Sequence, residues 1–407
     1  MAEGSEVKGF QVLKVVSISF AHLVHDSYTS ILNIVLPLLI ARFGITLTMA
    51  GLLNLILRLP SLLNPLIGIV ADRSAVRWYI VFTPAISAIG MSLIGIAPNY
   101  TIVAILIFVV GISSSFFHVP APVLIRNLSG SRIGKGMSFY MLGGEAARTL
   151  GPLVVVAAVE MWSFEGIWKL IPFALAATAV LFFMLRQADV RKPSTPLRNS
   201  RKERRTELWR YTRTLMPVLL AISGITFFQA LMKSALSAFL MVYLTDQGNS
   251  FAYAGILFAV FQFAGAASVL ISGTWSDRIG RIRMLQVAAV TSPIVMWLFV
   301  FLGNFWIIPL LLLLGLSIFA TTPVILAYLQ EVGKERPSYI NGVYMTISFA
   351  VGAIAVVFIG AMGDWWGLHK TYEITAYIGA GMFPFVVYLN RAGKFLSNKQ
   401  TDGNPIE

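Results

Sequence analysis

Three ionisable side chains lie close together inside an apolar run that is long enough to cross a bilayer. The run covers residues 17–37 and contains His22, His25 and Asp26. Residues three or four positions apart share one face of a helix, so these side chains are predicted to point the same way. Imidazole groups exchange protons near neutral pH, and ionisable groups at membrane depth usually face a protein interior or a water-filled cavity. We therefore interpret this face as one wall of a transport pathway.

Other charged side chains are predicted at a similar depth in other apolar runs. They are Arg58, Glu145, Arg148 and Lys233, with His118 somewhat closer to the cytoplasmic end. Convergence of such groups at one depth is typical of a central substrate cavity. The alternative is that Arg58–Asp26 and Arg148–Glu145 are ion pairs that only hold helices together. Buried ion pairs stabilise poorly because desolvation can exceed the Coulomb attraction, so we favour a functional role for the group.

These residues divide by chemistry into proton carriers and substrate contacts. Asp26 and Glu145 are the predicted carriers of a coupled proton, and His22 and His25 could relay it. Asp26 is the better proton site, because Arg148 lies one helical turn from Glu145 and could be its permanent partner. Arginine suits a carboxylate or phosphonate through its bidentate fork, whereas neutral side chains could equally serve inter-helix hydrogen bonds. The predicted substrate contacts are Arg58, His118, Arg148, Lys233, Gln229, Gln262 and Tyr344.

A metal site is the other chemistry open to the histidines. His22, His25, Asp26 and His118 could supply nitrogen and oxygen ligands. Their spacing is not that of a closed structural zinc site, and the chain has no cysteine. We therefore predict no resident metal and no cofactor, and keep a divalent-metal substrate as a less favoured alternative.

Composition places the chain among membrane proteins. It has 407 residues, of which 57% are hydrophobic and 12% are charged, against about 25% charged in soluble domains. Continuous apolar runs favour an all-α polytopic fold. The polar start of the chain predicts no cleavable signal peptide. No nucleophile–base motif stands out, so an enzyme is not expected, and a membrane receptor or scaffold that does not transport is the alternative from another class.

The net charge of +13 is concentrated in one segment rather than spread over a nucleic-acid-binding surface. Ten basic and three acidic residues lie between Arg186 and Arg213. A basic loop between hydrophobic halves is typical of cytoplasmic retention and could touch anionic lipid. Nucleic acid is therefore not an expected partner, whereas membrane lipid is.

Apolar segments of about 20 residues predict twelve transmembrane helices. The segments are 13–41, 46–72, 77–97, 100–127, 135–160, 166–187, 213–245, 250–276, 282–302, 304–331, 338–363 and 370–391. The predicted domains are a first six-helix bundle at 1–187, a basic cytoplasmic linker at 188–212 and a second bundle at 213–407. Basic residues dominate the loops after even-numbered helices, so both termini are predicted to be cytoplasmic.

A repeat relates the two halves of the chain. The segment GIVADRSAVRW at 68–78 matches GTWSDRIGRIR at 273–283, which aligns Asp72 with Asp277 and Arg73 with Arg278. A repeat that restarts after six spans preserves orientation, so the two bundles are predicted to be parallel repeats.

The repeated Gly-x-x-x-Asp-Arg pattern resembles the loop signature of the major facilitator superfamily, complete in the second copy and degraded in the first, where Ala75 replaces a glycine. The resemblance implies the major facilitator fold and a cytoplasmic latch formed by Asp72, Arg73, Asp277, Arg278 and Arg281. Within the superfamily the chain is similar to the fosmidomycin-resistance group of exporters. The residues that carry this finer similarity are His22-Leu-x-x-Asp26, Phe117-His118-x-Pro120, Gly143-Gly144, Leu150-Gly151-Pro152 and Tyr328-x-Gln330-Glu331.

Together, the residues and the resemblance predict a secondary active transporter that works by alternating access. We expect proton-coupled export of a small anionic or amphiphilic compound, such as a drug or metabolite, by a monomer in the inner (plasma) membrane. The direction rests on the resemblance alone. The alternatives are an organic-anion importer or exchanger and, less favoured, a divalent-metal transporter.

Overall fold

Helices make up the regular secondary structure in the part of the chain that the computed structural model describes. This part comprises residues 9–64, 67, 76–130, 132–186, 201–302, 304–333 and 337–401, and it contains no β-strand. The prediction of an all-α fold is therefore confirmed.

Eight α-helices precede the basic segment. They are α1 (Val12–Thr29), α2 (Ile31–Phe43), α3 (Leu47–Arg58), α4 (Val76–Ser92), α5 (Tyr100–His118), α6 (Ala121–Leu128), α7 (Ile133–Trp162) and α8 (Ile171–Leu185). Local residues set the boundaries: Gly44 ends α2 in the left-handed conformation at φ 60°, which glycine adopts without steric cost. Thr46 and Asn99 cap α3 and α5 by accepting hydrogen bonds from backbone N–H groups in the first turn.

Six α-helices follow in the described part of the chain. They are α9 (Arg201–Asp246), α10 (Phe251–Ile279), α11 (Arg281–Phe301), α12 (Ile307–Val332), α13 (Pro337–Gly379) and α14 (Met382–Thr401). Gly367, at φ 76° and ψ 158°, interrupts α13 with a non-helical conformation, so α13 is two helices joined at that residue. The sequence predicts a break between residues 363 and 370, and Gly367 lies in that interval.

Ten described helical segments are long and apolar enough to cross a membrane. One of them, Tyr339–Lys394, spans 56 residues and contains the interruption at Gly367, whereas the apolar segment Leu47–Leu63 is shorter than the others. The chain is thus a multi-pass membrane protein, and the count of twelve helices stays a prediction.

The described helices belong to two compact units. One comprises Met1–Pro193 with Phe239–Phe263, and the other comprises Ser194–Ala238 with Ala264–Glu407. Helix α9 begins at Arg201, well before the predicted start at residue 213, because residues 201–212 contain no glycine or proline that would end a helix. The predicted boundaries at 187 and 213 stay a prediction.

Each unit has an apolar core that fixes its helices. In the first unit, Ile18 of α1, Phe117 of α5, Leu124 of α6 and Leu181 of α8 are at most 1% exposed and belong to one cluster. The second cluster joins α9, α11, α12, α13 and α14. The first cluster includes Phe117, so the core that holds α1 against α5 directly adjoins the ionisable residues of α1.

Candidate functional site

Asp26 lies between two histidines that come from different helices. His22, one turn earlier on α1, places Nε2 3.2 Å from Asp26 Oδ2. His118, the last residue of α5, places Nε2 3.2 Å from Asp26 Oδ1. Side-chain exposure falls from 39% at His118 to 16% at Asp26 and 9% at His22. The three residues, called the Asp26 cluster below, therefore run from an accessible edge into the interior.

Tyr140 of α7 contacts both His22 and His118, and the sequence analysis did not predict it as a site residue. Its backbone carbonyl accepts a hydrogen bond from His22 Nδ1 at 2.8 Å, and its hydroxyl lies 3.4 Å from His118 Nδ1. Its ring also stacks on the His22 imidazole, with centroids 4.2 Å apart and planes 20° apart. The only sequence signal was an aromatic residue with a hydroxyl in a predicted span, and such a residue is more often a packing residue.

Two glycines allow α7 to approach α1 at this cluster. A Cβ at Gly144 would lie 2.5 Å from His22 Cε1, and a Cβ at Gly143 would lie 2.2 Å from the carbonyl oxygen of Ser19. Small residues permit such close backbone contact between membrane helices. Gly143 and Gly144 therefore place the backbone of α7 within reach of the His22 ring.

His25 adjoins the Asp26 cluster but is held differently. It is fully buried and stacks on Phe117, with centroids 4.6 Å apart and planes 10° apart. Its ring centroid lies 5.5 Å from that of His118. Among the described residues, neither ring nitrogen of His25 has a partner in hydrogen-bond geometry. The structure thus brings His25 next to the cluster as a buried imidazole.

The contacts of His22 determine where its protons lie. A carbonyl oxygen can only accept, so His22 Nδ1 carries a proton in its contact with Tyr140. In neutral His22, Nε2 then has a lone pair, which would face the lone pairs of Asp26 Oδ2 across 3.2 Å. That contact is attractive only when one more proton lies on Nε2 or on the carboxyl group.

The same atoms could also surround a cation. One ligand atom from each of His22, Asp26 and His118 lies within 4.8 Å of the other two. Histidine nitrogens whose other ring nitrogen is hydrogen-bonded, as in His22, are the usual form of metal-binding histidines. Two imidazoles and a carboxylate suit divalent transition metals rather than Ca²⁺ or Mg²⁺.

Glu145 and Arg148 form an ion pair along α7. Arg148 Nη1 donates to both Glu145 Oε1 and Oε2 at 3.1 Å. The Glu145 side chain is only 8% exposed, whereas that of Arg148 is 43% exposed. The pair considered in the sequence analysis is present, and it uses one guanidinium nitrogen of an accessible arginine.

The remaining predicted residues of the first half are Arg58, Asp72 and Arg73. Arg58 is exposed at the end of α3 and forms no ion pair with a described residue. The alternative Arg58–Asp26 pair is not present, because the Asp26 carboxyl contacts His22 and His118 instead. Asp72 and Arg73 lie outside the described residues.

The predicted substrate contacts after the basic segment have separate surroundings. Buried Gln229 of α9 donates from Nε2 to the Ile318 carbonyl of α12 at 2.7 Å. Lys233 Nζ lies 4.6 Å from the ring centroid of Phe319. Gln262 Oε1 and the hydroxyl of buried Tyr344 have no partner in hydrogen-bond geometry among the described residues. Gln229 therefore joins two helices, and its substrate role stays a prediction, as do those of the other three.

Arg281 is the centre of the described part of the predicted latch. At the start of α11 it contacts Asp277 and Ser276 of α10, and its Nε donates to Glu331 Oε1 of α12 at 3.0 Å. Arg278 is exposed. Arg281 thus ties the ends of three helices of the second unit, whereas a latch role for Asp277, Arg278 and Arg281 stays a prediction.

Comparison with known proteins gives a family and several relatives. A family model described as Major Facilitator Superfamily matches residues 18–357. The Fosmidomycin resistance protein of Escherichia coli K12 is 25% identical over 369 residues, which cover 89% of each chain. The Multi-drug resistance efflux pump PmrA of Streptococcus pneumoniae is 22% identical over 328 residues, 78% of this chain and 79% of the relative.

Solved structures share the fold. A bacterial homolog of the human lysosomal transporter Spinster, in an inward-facing and unoccupied conformation, superposes with a TM-score of 0.73. The alignment covers 97% of each chain at 13% sequence identity. At that identity the likeness shows the fold alone, and it agrees with the fold expected from the sequence.

Proposed function

Because the chain belongs to the Major Facilitator Superfamily, it is a membrane transporter of small molecules and not an enzyme, and we propose that it exports its substrate in exchange for protons. The substrate is a small anionic or amphiphilic compound, a drug or a metabolite, and transport proceeds by alternating access. Relatives named for fosmidomycin resistance and for multi-drug efflux support the outward direction.

The observation that carries this proposal is the contact of His22 and His118 with the two oxygens of Asp26. The His22–Asp26 contact needs a proton in addition to the one that His22 donates to the Tyr140 carbonyl. His118 is more exposed than the other two and gives the cluster an accessible edge. A carboxyl group that accepts a proton on one side of a membrane and loses it on the other can couple transport to the proton gradient.

The surroundings of Arg148 support the proposal that the substrate carries an anionic group. It uses Nη1 for Glu145, and its side chain is 43% exposed, so its other guanidinium N–H groups are positioned to bind a ligand. A planar guanidinium binds carboxylates and phosphonates through two parallel hydrogen bonds. Arg58, Lys233 and the neutral contacts Gln229, Gln262 and Tyr344 remain proposed contributors.

Exchange in proteoliposomes tests the proposal. Fosmidomycin, named in one relative, is the first probe, and transport is followed with and without an imposed pH gradient. We expect gradient-driven transport by the natural protein and its loss in Asp26→Asn, since an amide cannot take up the coupled proton. Asp26→Asn should still exchange substrate for substrate, because that reaction needs no net proton movement.

Glu160→Gln provides the matched control. Glu160 is an exposed carboxylate of α7, and its neutralisation should leave gradient-driven transport unchanged. Transport that persists at the full rate after the gradient is collapsed, and also in Asp26→Asn, would rule out proton exchange.

Two further candidate functions each have one supporting observation. Exposed Arg148 favours an organic-anion importer or exchanger, for which counterflow of a carboxylate or phosphate would occur without proton movement. The close approach of His22, Asp26 and His118 favours a divalent-metal transporter. The test is whether Zn²⁺ or Mn²⁺ raises the thermal unfolding midpoint of the natural protein but not that of Asp26→Asn. That result would support divalent-metal transport and contradict proton-coupled export.

The proposed location is the inner (plasma) membrane, with both termini in the cytoplasm and a monomeric transporter. The basic residues between Arg186 and Arg213 support this orientation, since cytoplasmic loops are enriched in lysine and arginine. The same residues support a contact with anionic lipid.

A further inference from the structure

A pocket separate from the Asp26 cluster opens in the first unit between α1, α7 and α8. Its volume is about 420 Å³, and its lining includes Tyr28, Gly151, Val154, Trp162 and Phe173. An apolar cavity of about 150 Å³ holds a molecule the size of benzene, so this pocket has room for a much longer hydrocarbon.

The wall of this pocket is apolar, and its hydroxyl groups already donate hydrogen bonds within the protein. Tyr28 donates to the Leu170 carbonyl at 2.5 Å, and Ser27 donates to the Leu23 carbonyl at 2.7 Å. The remaining lining is aliphatic or aromatic, apart from the backbone of Gly151. The ligand that fits such a wall is therefore hydrocarbon, since a polar group placed there would lose its hydrogen bonds to water.

The mouth of the pocket is continuous with an exposed apolar surface of α7 and α8. Val154, Met161 and Phe173 at the mouth are 51%, 69% and 64% exposed. On α8 the exposed apolar surface continues through Val180 and Phe183. Exposed apolar side chains on a membrane-spanning helix contact acyl chains rather than water. The pocket is thus open to the hydrocarbon of the bilayer.

A lysine side chain lies close to one of the residues that line the pocket. Lys169, exposed in the turn before α8, places Nζ 5.7 Å from the ring centroid of Trp162, which lines the pocket. Tryptophan and lysine are typical of the membrane–water interface, where phospholipid phosphates lie. The nearby carboxylate of Glu165 accepts a hydrogen bond from Ser163 and lies 3.9 Å from Arg42. Lys169 is therefore placed to meet a phosphate.

We propose that this pocket binds a membrane phospholipid, with one acyl chain between α1, α7 and α8 and the phosphate at Lys169. The bound chain would contact Ser27 and Tyr28, which directly follow Asp26 on α1. The lipid thus supports the part of α1 that carries the Asp26 cluster. This inference depends on the membrane-spanning fold and not on proton exchange.

Native mass spectrometry of the purified full-length protein, titrated with phosphatidylglycerol, tests the pocket. Ala157 lines the pocket and is exposed, so Ala157→Phe fills the space without disturbing the core. We expect at least a fivefold loss of bound lipid in Ala157→Phe. Ala179→Phe, the same change on the exposed face of α8 outside the pocket, should bind like the natural protein.

Lys169→Gln tests the phosphate contact separately. This variant should bind phosphatidylglycerol severalfold more weakly than the natural protein does. Its binding of diacylglycerol, which has no phosphate, should be unchanged. Unaltered phosphatidylglycerol binding in both Ala157→Phe and a second filling variant, Val154→Trp, would overturn the proposal. Competitive displacement of the lipid by a transported compound would also overturn it, because the pocket would then belong to the substrate.

Discussion

At the scale of single residues, the imidazole ring of His22 makes three different contacts with two residues. The Tyr140 carbonyl accepts from Nδ1, the Asp26 carboxyl lies at Nε2, and the Tyr140 ring stacks on its face. The carbonyl belongs to the backbone of α7 and can only accept, so it fixes the direction of Nδ1 and turns Nε2 towards Asp26. The two nitrogens of this histidine therefore have different partners, the backbone of α7 at Nδ1 and the Asp26 carboxyl at Nε2.

The substitution His22→Phe tests whether transport needs the ring nitrogens of His22 or only an aromatic ring at this position. His22→Phe keeps a ring against Tyr140 but removes both the contact with Asp26 and the hydrogen bond to the Tyr140 carbonyl. Because the variant loses one hydrogen bond and one contact with a carboxyl group, we expect gradient-driven transport to fall by roughly tenfold or more. The measurement is the initial rate in proteoliposomes at a fixed pH gradient.

Tyr140→Phe is the matched control for His22→Phe. It keeps the backbone carbonyl and the ring, and it loses only the 3.4 Å contact with His118. A contact of that length is weak, so transport should stay within about twofold of the natural rate. If Tyr140→Phe were as damaging as His22→Phe, the hydroxyl would be part of the proton site, and the role given to the carbonyl alone would be wrong.

The sequence predicts the part of this site that lies on one helix and leaves the rest open. His22 and Asp26 are four residues apart, and helical periodicity alone places them on one face. His118 and Tyr140 come from α5 and α7, and periodicity carries no information about which faces of separate helices meet. Arg58 shows the same limit, because a similar predicted depth on α3 did not make it a partner of the Asp26 carboxyl, which contacts two histidines instead.

At the scale of elements, the approach of α7 to α1 positions the site. Gly143 and Gly144 meet α1 at Ser19 and His22, and Gly151 meets it near Ser27 and Ser30. A small residue in the sequence indicates only that close contact is possible, and the structure identifies α1 as the partner. The sequence favours a packing role for these glycines, and by allowing α7 to pack closely against α1 they also position the His22 ring.

Gly144→Ala tests this role. The new Cβ would lie 2.5 Å from His22 Cε1, so the imidazole must move away from Asp26 or the helices must separate. Overpacking of this kind costs about 1–3 kcal/mol, and we expect a lower thermal unfolding midpoint together with weaker gradient-driven transport.

Gly134→Ala is the control on the same helix. A Cβ at Gly134 would meet nothing within 4 Å, and alanine favours a helix over glycine, so its unfolding midpoint should be unchanged or raised. Equal effects of the two substitutions would show that α7 tolerates or rejects alanine for reasons unrelated to His22.

At the scale of the whole molecule, apolar length predicts most helices, and local breaks complicate their count. Gly367 interrupts one helix within the interval that the predicted apolar spans 338–363 and 370–391 leave between them, so apolar length predicts this break. Orientation depends on charge rather than on length, and only labelling from each side of the membrane can test it.

The absence of cysteine gives this labelling a clean background, since each introduced thiol is the only one in the chain. Gln247 and Arg278 are exposed, one just before α10 and the other near its end. This helix has 29 residues and is roughly 44 Å long, more than the hydrocarbon thickness of about 30 Å. In intact cells, a membrane-impermeant maleimide should label Gln247→Cys at once and Arg278→Cys only after permeabilisation. The opposite pattern would reverse the proposed orientation, and labelling of both from outside would mean that α10 does not cross the membrane.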